Sequence, residues 1–290
     1  MKWVEITVLT ATPAVEAIAN ILLECRSGGV AEESTPTGGV LLRGYLPVGP
    51  ATGVTLSAIK DRIRTLPTFG LDIGPATVQT EEIEDEGWAH AWKIHFKPFA
   101  IGRLWITPTW DHTRPAHGEV TVELDPGMAF GSGLHPSTQM CLMMLSRGLR
   151  GGETVFDVGT GSGILSIAAA KLGAARVLAR DDDPVAVEVA RHNVAYNCVD
   201  DRVTVEEGHL LAGVEGQANL IMANLIADIH LDFLPDAFHS LLPGGLLAAS
   251  GIIADRLLEV TSVASAAGFR VAEIVQSAEW RCAILSRPGA

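Results

Sequence analysis

The sequence predicts an α/β protein of two domains, in which a small α+β domain precedes a larger domain built on a doubly wound parallel sheet. Three observations lead to this prediction. The first eighty or so residues alternate between strand and helix patterns, an acidic and then aromatic stretch follows, and short apolar strands alternate with helices from about residue 151 onward. A chain of 290 residues is long enough for two domains of roughly 100–200 residues each.

The N-terminal domain, assigned to residues 1–84, has the element order β-α-β-β-α-β, which is typical of a ferredoxin-like fold. Its strands alternate apolar and polar side chains, and its helices have an apolar periodicity that ends at Gly28 and at Pro67. The predicted strands are residues 3–9, 30–33, 40–45 and 77–83, and the predicted helices are residues 14–25 and 56–66.

A connector is predicted at residues 85–98, where an acidic run gives way to the aromatic side chains of Trp88 and Trp92. The C-terminal domain is assigned to residues 99–290. Residues 101–107 and 119–124 predict the two strands of a hairpin at its start.

Composition excludes several classes of protein. A net charge of −13 argues against nucleic acid as the main partner, because a phosphate-binding surface needs basic side chains. The mean hydropathy is +0.27, yet Gly, Pro or a polar residue interrupts every window of about 18 residues, and the N-terminus lacks the pattern of a signal peptide. We therefore expect no membrane segment. The histidines show no metal-ligand spacing such as H-E-x-x-H, so no metal is expected.

Four scattered cysteines, without a C-x-x-C pair, predict reduced thiols rather than a disulfide framework or a zinc site. Together with the absence of a predicted membrane segment, this favours a cytoplasmic location, and we expect a monomer. The cysteines are Cys25, Cys141, Cys198 and Cys282.

A glycine-rich turn marks the start of the doubly wound pattern. Residues 155–158 predict a short buried strand, residues 159–163 read GTGSG, and residues 164–172 predict a helix that Gly173 ends. Such a turn lets the backbone approach a ligand closely and aims the helix N-terminus at it. A dinucleotide-binding turn has the spacing G-x-G-x-x-G, whereas here the tighter G-x-G-x-G follows Asp157 and resembles the first motif of class I S-adenosylmethionine methyltransferases.

The end of the next predicted strand carries Asp181, whose carboxylate is placed to accept hydrogen bonds from both ribose hydroxyls of a nucleoside. This placement serves NAD and S-adenosylmethionine alike, so it supports a nucleoside ligand without choosing between them. The alternative, a solvated helix cap, fits Asp182 or Asp183 better, because a helix is predicted to begin at Pro184.

More specific segments carry a resemblance to a known family. Residues 125–138 read DPGMAFGSGLHPST, and together with DVGTGSGI at 157–164 and ANL at 223–225 they closely resemble the ribosomal protein L11 methyltransferases. The segments GWAHAWK at 87–93 and EWR at 279–281 are also similar to that family. The resemblance extends over nearly the whole chain.

What the resemblance implies is a two-domain enzyme that methylates lysine ε-amines and the N-terminal α-amine of ribosomal protein L11. The N-terminal domain would recognise the substrate, and the C-terminal domain would bind S-adenosylmethionine. Phe130 would lie on the loop that covers the cofactor. The residues implied in cofactor binding are Phe130, Thr138, Gly159, Gly161, Asp181 and Asn224.

Catalysis is predicted at Asn224 and Leu225, directly after the apolar strand of residues 220–223. The side-chain carbonyl of Asn224 and the backbone carbonyl of Leu225 would accept hydrogen bonds from the acceptor amine and orient its lone pair. No strong general base is expected, and His135 is interpreted as structural. The competing interpretation of Asn224 is a loop cap.

Departures from the family leave some details open. Ser132, Leu134 and Ser137 stand where the family commonly has threonine, and residues 206–209 read EEGH, which leaves the residue that contacts the adenine amine undecided. The competing functions are a methyltransferase that acts on lysine of another protein, an NAD-binding Rossmann oxidoreductase, and a binding module without turnover.

Overall fold

A computed structural model describes residues 2–25, 30–35, 39–49, 52–69, 71–84, 97–115, 117–125, 131 and 133–289. The chain forms two compact units, Met1–His95 and Phe96–Ala290. Of the predicted connector, only Lys97 and Pro98 belong to the described residues. Among the helices of the described part of the chain, none is both long and apolar enough to cross a membrane.

The N-terminal unit contains a four-stranded sheet in which every neighbouring pair is antiparallel. The four strands and two helices predicted from the sequence are all present, and the strands lie in the order β2-β3-β1-β4 across the sheet. Alternate apolar residues of the strands, such as Ile6 and Val8, pack against Ile18 and Leu22 of the first helix and Ile59 of the second. The elements are β1 (Lys2–Thr10), α1 (Val15–Glu24), β2 (Val30–Ser34), β3 (Val40–Pro47), α2 (Thr52–Thr65) and β4 (Thr77–Glu84).

The C-terminal unit is built on a seven-stranded sheet of the order β10-β9-β8-β11-β12-β14-β13. The first five strands in this order are parallel to one another. β14 pairs antiparallel with β12, and β13 pairs antiparallel with β14. The strands are β8 (Thr154–Val158), β9 (Arg176–Asp181), β10 (Val203–Glu207), β11 (Ala218–Asn224), β12 (Leu241–Ile253), β13 (Arg270–Ser277) and β14 (Trp280–Ser286). The helices are α3 (Pro136–Gly148), α4 (Ile164–Lys171), α5 (Pro184–Tyr196), α6 (Ala227–His239) and α7 (Leu257–Ala266).

The order of the strands places a crevice at the centre of the sheet. From β8 the chain proceeds outward through β9 and β10, then returns so that β11 pairs with the other side of β8. In doubly wound sheets, ligands bind at the carboxyl ends of the strands where this reversal occurs. The residues at the ends of β8 and β11 are therefore those placed to meet a ligand.

One prediction made from the sequence is wrong. Residues 101–107 and 119–124 do not form a hairpin, because β7 (Val120–Leu124) pairs parallel with β6 (Leu104–Pro108). The antiparallel partner of β6 is β5 (Phe99–Ile101). Gly102 has a φ of +57°, a conformation that suits glycine, and it makes the tight turn that divides the predicted strand in two.

Candidate active site

The glycine turn, Gly159–Gly163, follows β8 at the centre of the carboxyl edge of the sheet. Its three glycines have φ values of +73°, +54° and +83°, which residues with a Cβ rarely adopt. The amides of Gly159 and Thr160 donate to the carbonyl of Arg180, at 2.9 and 3.0 Å. The turn is thereby attached to the end of β9, and α4 starts from it.

Asp181 links the glycine turn to the end of β9. Its Oδ2 accepts a hydrogen bond from the amide of Gly161 at 2.9 Å, and its Oδ1 accepts one from the amide of Asp183 at 3.1 Å. Burial raises the pKa of this carboxyl, with smaller increases from the charges of Asp182 and Asp183, and the two amide donors oppose the shift. Asp183 itself caps α5 by accepting from the amide of Val185 at 2.9 Å. Helix capping therefore belongs to Asp183, which leaves Asp181 with lone pairs for a ligand.

Asp157 lies beneath the turn, with 1% of its surface exposed. Its Oδ2 accepts hydrogen bonds from the hydroxyls of Thr160 and Ser166, both at 2.7 Å, and from the amide of Ser166 at 3.1 Å. Its Oδ1 has no hydrogen-bond partner within the described part of the chain. Burial raises the pKa of Asp157 to about 6, because the three donors on Oδ2 compensate only in part for the loss of water.

The β11 turn, Asn224 and Leu225, faces the glycine turn across the crevice. Asn224 Nδ2 donates to Thr138 Oγ1 at 3.1 Å, which leaves the side-chain carbonyl of Asn224 as an acceptor. The side chain of Leu225 packs over Gly159, since a Cβ at Gly159 would lie 2.5 Å from Leu225 Cδ2. Both turns therefore line one site.

The end of β12 supports the β11 turn. The amide of Leu225 donates to the carbonyl of Ser250 at 3.0 Å. Gly251, with a φ of +81°, lies so close that a Cβ there would be 2.5 Å from the carbonyl oxygen of Leu225 and 3.0 Å from Asn224 Oδ1. Ser250 Oγ also donates to the carbonyl of Ser137 at 3.0 Å, which connects this strand end to the start of α3.

The loop of residues 125–138 is attached to the same edge at both ends. Asn193 exchanges two hydrogen bonds with the backbone of Asp125, both at 3.1 Å, and also donates to the carbonyl of Ser162 at 2.9 Å. Ser162 Oγ donates to the carbonyl of Gly131 at 2.6 Å. Phe130, which was predicted to lie over the cofactor, is outside the described residues.

His135 caps α3 rather than standing free in the crevice. Its Nδ1 accepts from the amide of Ser137 at 3.3 Å, and its ring lies edge-on to Trp280 with 4.7 Å between the ring centroids. Burial lowers the pKa of His135, against a smaller increase from the charge of Glu279. These contacts agree with a structural role.

The structure thus groups six of the seven residues predicted for the site and leaves only Phe130 without a description. Thr138 and Asn224 are hydrogen-bonded, Gly161 is hydrogen-bonded to Asp181, and Leu225 packs on Gly159. Within the described part of the chain, no group of three or more His, Cys, Asp or Glu side chains is arranged to hold a metal ion.

Several supporting residues were not found from the sequence. Asn193 is fully buried on α5. Asn197, which caps the C-terminus of α5, is also buried, and its side chain exchanges two hydrogen bonds with the backbone of Glu123. Their signal was available, because two amides four residues apart on an otherwise apolar helix face indicate a buried polar contact. Ser250 and Gly251 carried no comparable local signal.

Comparisons with known proteins show the family of this chain. The family model described as "Ribosomal protein L11 methyltransferase (PrmA)" matches residues 2–288. A protein of Geobacillus kaustophilus named ribosomal protein L11 methyltransferase is 43% identical over 99% of this chain and 100% of its own length. A protein of the same name from Bacillus cytotoxicus is 42% identical over 97% of both chains.

A solved structure adds evidence on the fold. The crystal structure of a ribosomal protein L11 methylase from Lactobacillus delbrueckii subsp. bulgaricus is 34% identical, covers 66% of this chain and 99% of its own, and superposes with a TM-score of 0.63. The glycine turn, the acid at the end of β9 and the β11 turn thus occur in a chain that matches one family over nearly its full length. The chain belongs to the ribosomal protein L11 methyltransferase family and is an S-adenosylmethionine-dependent methyltransferase.

Proposed function

We propose that this enzyme transfers methyl groups from S-adenosylmethionine to lysine ε-amines and to the N-terminal α-amine of ribosomal protein L11. The observation that carries the proposal is the contact between the two turns. Leu225 packs on Gly159, so an amide and a backbone carbonyl that can accept hydrogen bonds from an amine stand beside the turn suited to a nucleoside.

The residues of the glycine turn fit the cofactor. Gly159 and Gly161 have positive φ angles and no Cβ, so their backbone can approach a ligand closely. The carboxylate of Asp181 offers acceptors for two ribose hydroxyls. We assign cofactor binding to Thr138, Gly159, Gly161, Asp181 and Asn224, with Phe130 on the covering loop.

The chemistry needs positioning more than proton transfer. Bound S-adenosylmethionine would supply a methyl group on a positively charged sulfur, and the amine lone pair would attack the methyl carbon in line while the carbon–sulfur bond breaks and the neutral thioether leaves. Asn224 Oδ1 and the backbone carbonyl of Leu225 accept hydrogen bonds from the two N–H groups of a neutral primary amine. The lone pair of the amine then points away from these two oxygens. Because free lysine has a pKa of about 10.4, the site must also favour the neutral amine, and partial burial beside Leu225 does so.

The N-terminal unit is proposed to be a ferredoxin-like domain, residues 1–84, that recognises the substrate. Its β-α-β-β-α-β order and its antiparallel strand order β2-β3-β1-β4 support this assignment. Residues 85–98 would then connect it to the methyltransferase domain of residues 99–290. A ribosomal protein as substrate also supports a cytoplasmic location, and we propose that the enzyme acts as a monomer without binding nucleic acid directly.

Radiolabelled S-adenosylmethionine tests the proposed substrate. Incubation with purified L11 should give labelled L11, and mass spectrometry should locate the label on lysine side chains and the N-terminus. Label on other proteins of a cell extract but not on L11 would instead support a methyltransferase for another protein lysine.

Calorimetry tests the cofactor assignment separately from turnover. S-adenosylmethionine should bind and NAD should not. Binding of NAD alone would support the oxidoreductase alternative, and binding of S-adenosylmethionine with no labelled protein at all would leave a binding module.

A further inference from the structure

A buried histidine, His230, contacts the same carbonyl of β12 that binds the β11 turn. His230 lies in the first turns of α6 and has 0% of its surface exposed. The other buried residues of this helix include Phe233, Leu234 and Ala237, so the imidazole is a polar group on an apolar face. Burying a polar ring costs free energy unless its nitrogens are hydrogen-bonded, and within the described part of the chain Nε2 has a partner whereas Nδ1 has none.

That hydrogen bond goes to the carbonyl of Ser250, which lies 2.9 Å from His230 Nε2. A carbonyl oxygen can only accept, so Nε2 carries the proton and donates. Burial lowers the pKa of His230, while the facing carbonyls of Ser250 and Leu225 oppose the shift. The ring is therefore neutral at physiological pH, with its single proton on the nitrogen that faces Ser250.

The same carbonyl supports the β11 turn. Ser250 O also accepts the amide of Leu225 at 3.0 Å, so one oxygen holds two donors, one from α6 and one from the turn. The next residue, Gly251, lies against the carbonyl of Leu225 and the side chain of Asn224. A continuous series of contacts thus leads from the buried His230 through the end of β12 to the β11 turn.

We propose that His230 is a positioning residue for methyl transfer, which fixes the Ser250 carbonyl and through it the orientation of Asn224 and the Leu225 carbonyl toward the acceptor amine. This inference rests on the proposed function, because it assumes that the β11 turn holds the amine. An amine misplaced by about 1 Å reacts about 100-fold more slowly, so a modest shift of this turn affects the rate more than binding.

The test compares His230→Gln with His230→Met. A glutamine amide nitrogen reaches about the position of imidazole Nε2 and can donate to Ser250, whereas methionine has a similar length and shape and no donor. We expect His230→Met to lower kcat for L11 about tenfold, with the KM for L11 and the Kd for S-adenosylmethionine within about twofold of the wild type. His230→Gln should keep kcat within about threefold of the wild type.

A control and a second measurement separate positioning from packing. Phe233→Leu removes buried volume from the same helix and keeps the hydrogen bond between His230 and Ser250. It should reduce thermal stability while leaving kcat unchanged. Hydrogen exchange of the Leu225 amide should accelerate in His230→Met and not in His230→Gln or Phe233→Leu. If His230→Met does not fold, His230→Asn, whose amide has a shorter reach, replaces it in the comparison.

The outcomes are distinct. Equal kcat values and equal Leu225 exchange for the glutamine and methionine variants would overturn the positioning role, as would a loss of kcat in Phe233→Leu of the same size. A wild-type protein that does not methylate L11 would refute the proposed function instead, and the hydrogen-exchange comparison would still decide whether His230 holds the turn.

Discussion

The glycine turn and the β11 turn lie on the same edge of the sheet, yet they are held in different ways. The glycine turn is fixed by its own backbone angles, by Asp157 at the end of β8 and by Asp181 at the end of the next strand, β9. The β11 turn is fixed by residues from other parts of the chain, among them Thr138 and Ser250. The half proposed to bind the cofactor is thus held mainly by two successive strands and the turn between them, whereas the half proposed to hold the amine also depends on α3, since Thr138 is 86 residues from Asn224.

The largest effect is expected from a substitution next to the β11 turn that displaces its backbone. Gly251→Ala would place a Cβ 2.5 Å from the carbonyl oxygen of Leu225, so we expect kcat for methyl transfer to fall at least about 100-fold. Gly244→Ala is the matched control, because Gly244 is on the same strand with the same φ of +81° and has open space around its Cβ position. Steady-state kinetics should separate the two variants, and similar losses would mean that backbone strain alone is responsible.

A smaller loss is expected when the turn keeps its backbone but loses its amide. Asn224→Ala removes both the hydrogen bond to Thr138 and the proposed acceptor for the amine, and kcat should fall about 10- to 100-fold while the fold is retained. Asn219→Ala serves as the control, since Asn219 is on the same strand and its side-chain oxygen accepts a hydrogen bond from the amide of Thr154, outside the β11 turn. Unchanged turnover in Asn224→Ala would remove this residue from the mechanism.

On the cofactor side, the effect should appear in affinity rather than in rate. Asp181→Ala removes the carboxylate that faces the glycine turn, and the Kd for S-adenosylmethionine measured by calorimetry should rise about tenfold. Asp182→Ala, at an exposed neighbour whose carboxylate is 3.5 Å from His209, should change the Kd much less. An equal effect of both substitutions would point to general charge rather than to ribose recognition.

The smallest effect concerns the stability of the glycine turn. Burial raises the pKa of Asp157 from 3.8, the ordinary value of an aspartate, to about 6 in the folded protein, so its protonation favours the fold. This contribution is complete below pH 3.8 and is lost as the pH rises through about 6. Asp157→Asn, which keeps an oxygen for the three donors, should raise the free energy of unfolding at pH 8 by about 1–2 kcal/mol and have little effect near pH 4.

Urea unfolding between pH 4 and pH 8 measures this difference. If the two proteins lose stability in parallel as the pH rises, the buried charge of Asp157 does not limit the stability of the turn. Ser166→Ala removes one of the donors to Asp157, and it should lower stability most at pH 8, where the carboxylate is charged.

The same difference explains how much could be predicted from the sequence. The glycine spacing, Asp181 and a helix cap at Asp182 or Asp183 are local patterns, so they could be predicted without a structure, and the structure shows that Asp183 is the cap. The hydrogen bonds from Asn193 to Asp125 and from Ser250 to Leu225 join residues of different elements. The spacing of Asn193 and Asn197 indicates burial, but no local pattern identifies the partner of either contact. The mistaken hairpin has the same origin, because whether β7 pairs parallel or antiparallel with β6 depends on the path of the chain between them.

The packing of Leu225 on Gly159 also restricts how this site can evolve. The two residues follow different strands, and a Cβ at Gly159 would lie 2.5 Å from Leu225 Cδ2, so position 159 can gain volume only if the side chain at position 225 becomes smaller. Substitutions at position 225 therefore bear on the shape of the proposed nucleoside site as well as on the proposed amine site. In directed evolution, a side chain at position 159 would require a smaller residue at position 225, and a library that varies position 159 alone should retain glycine.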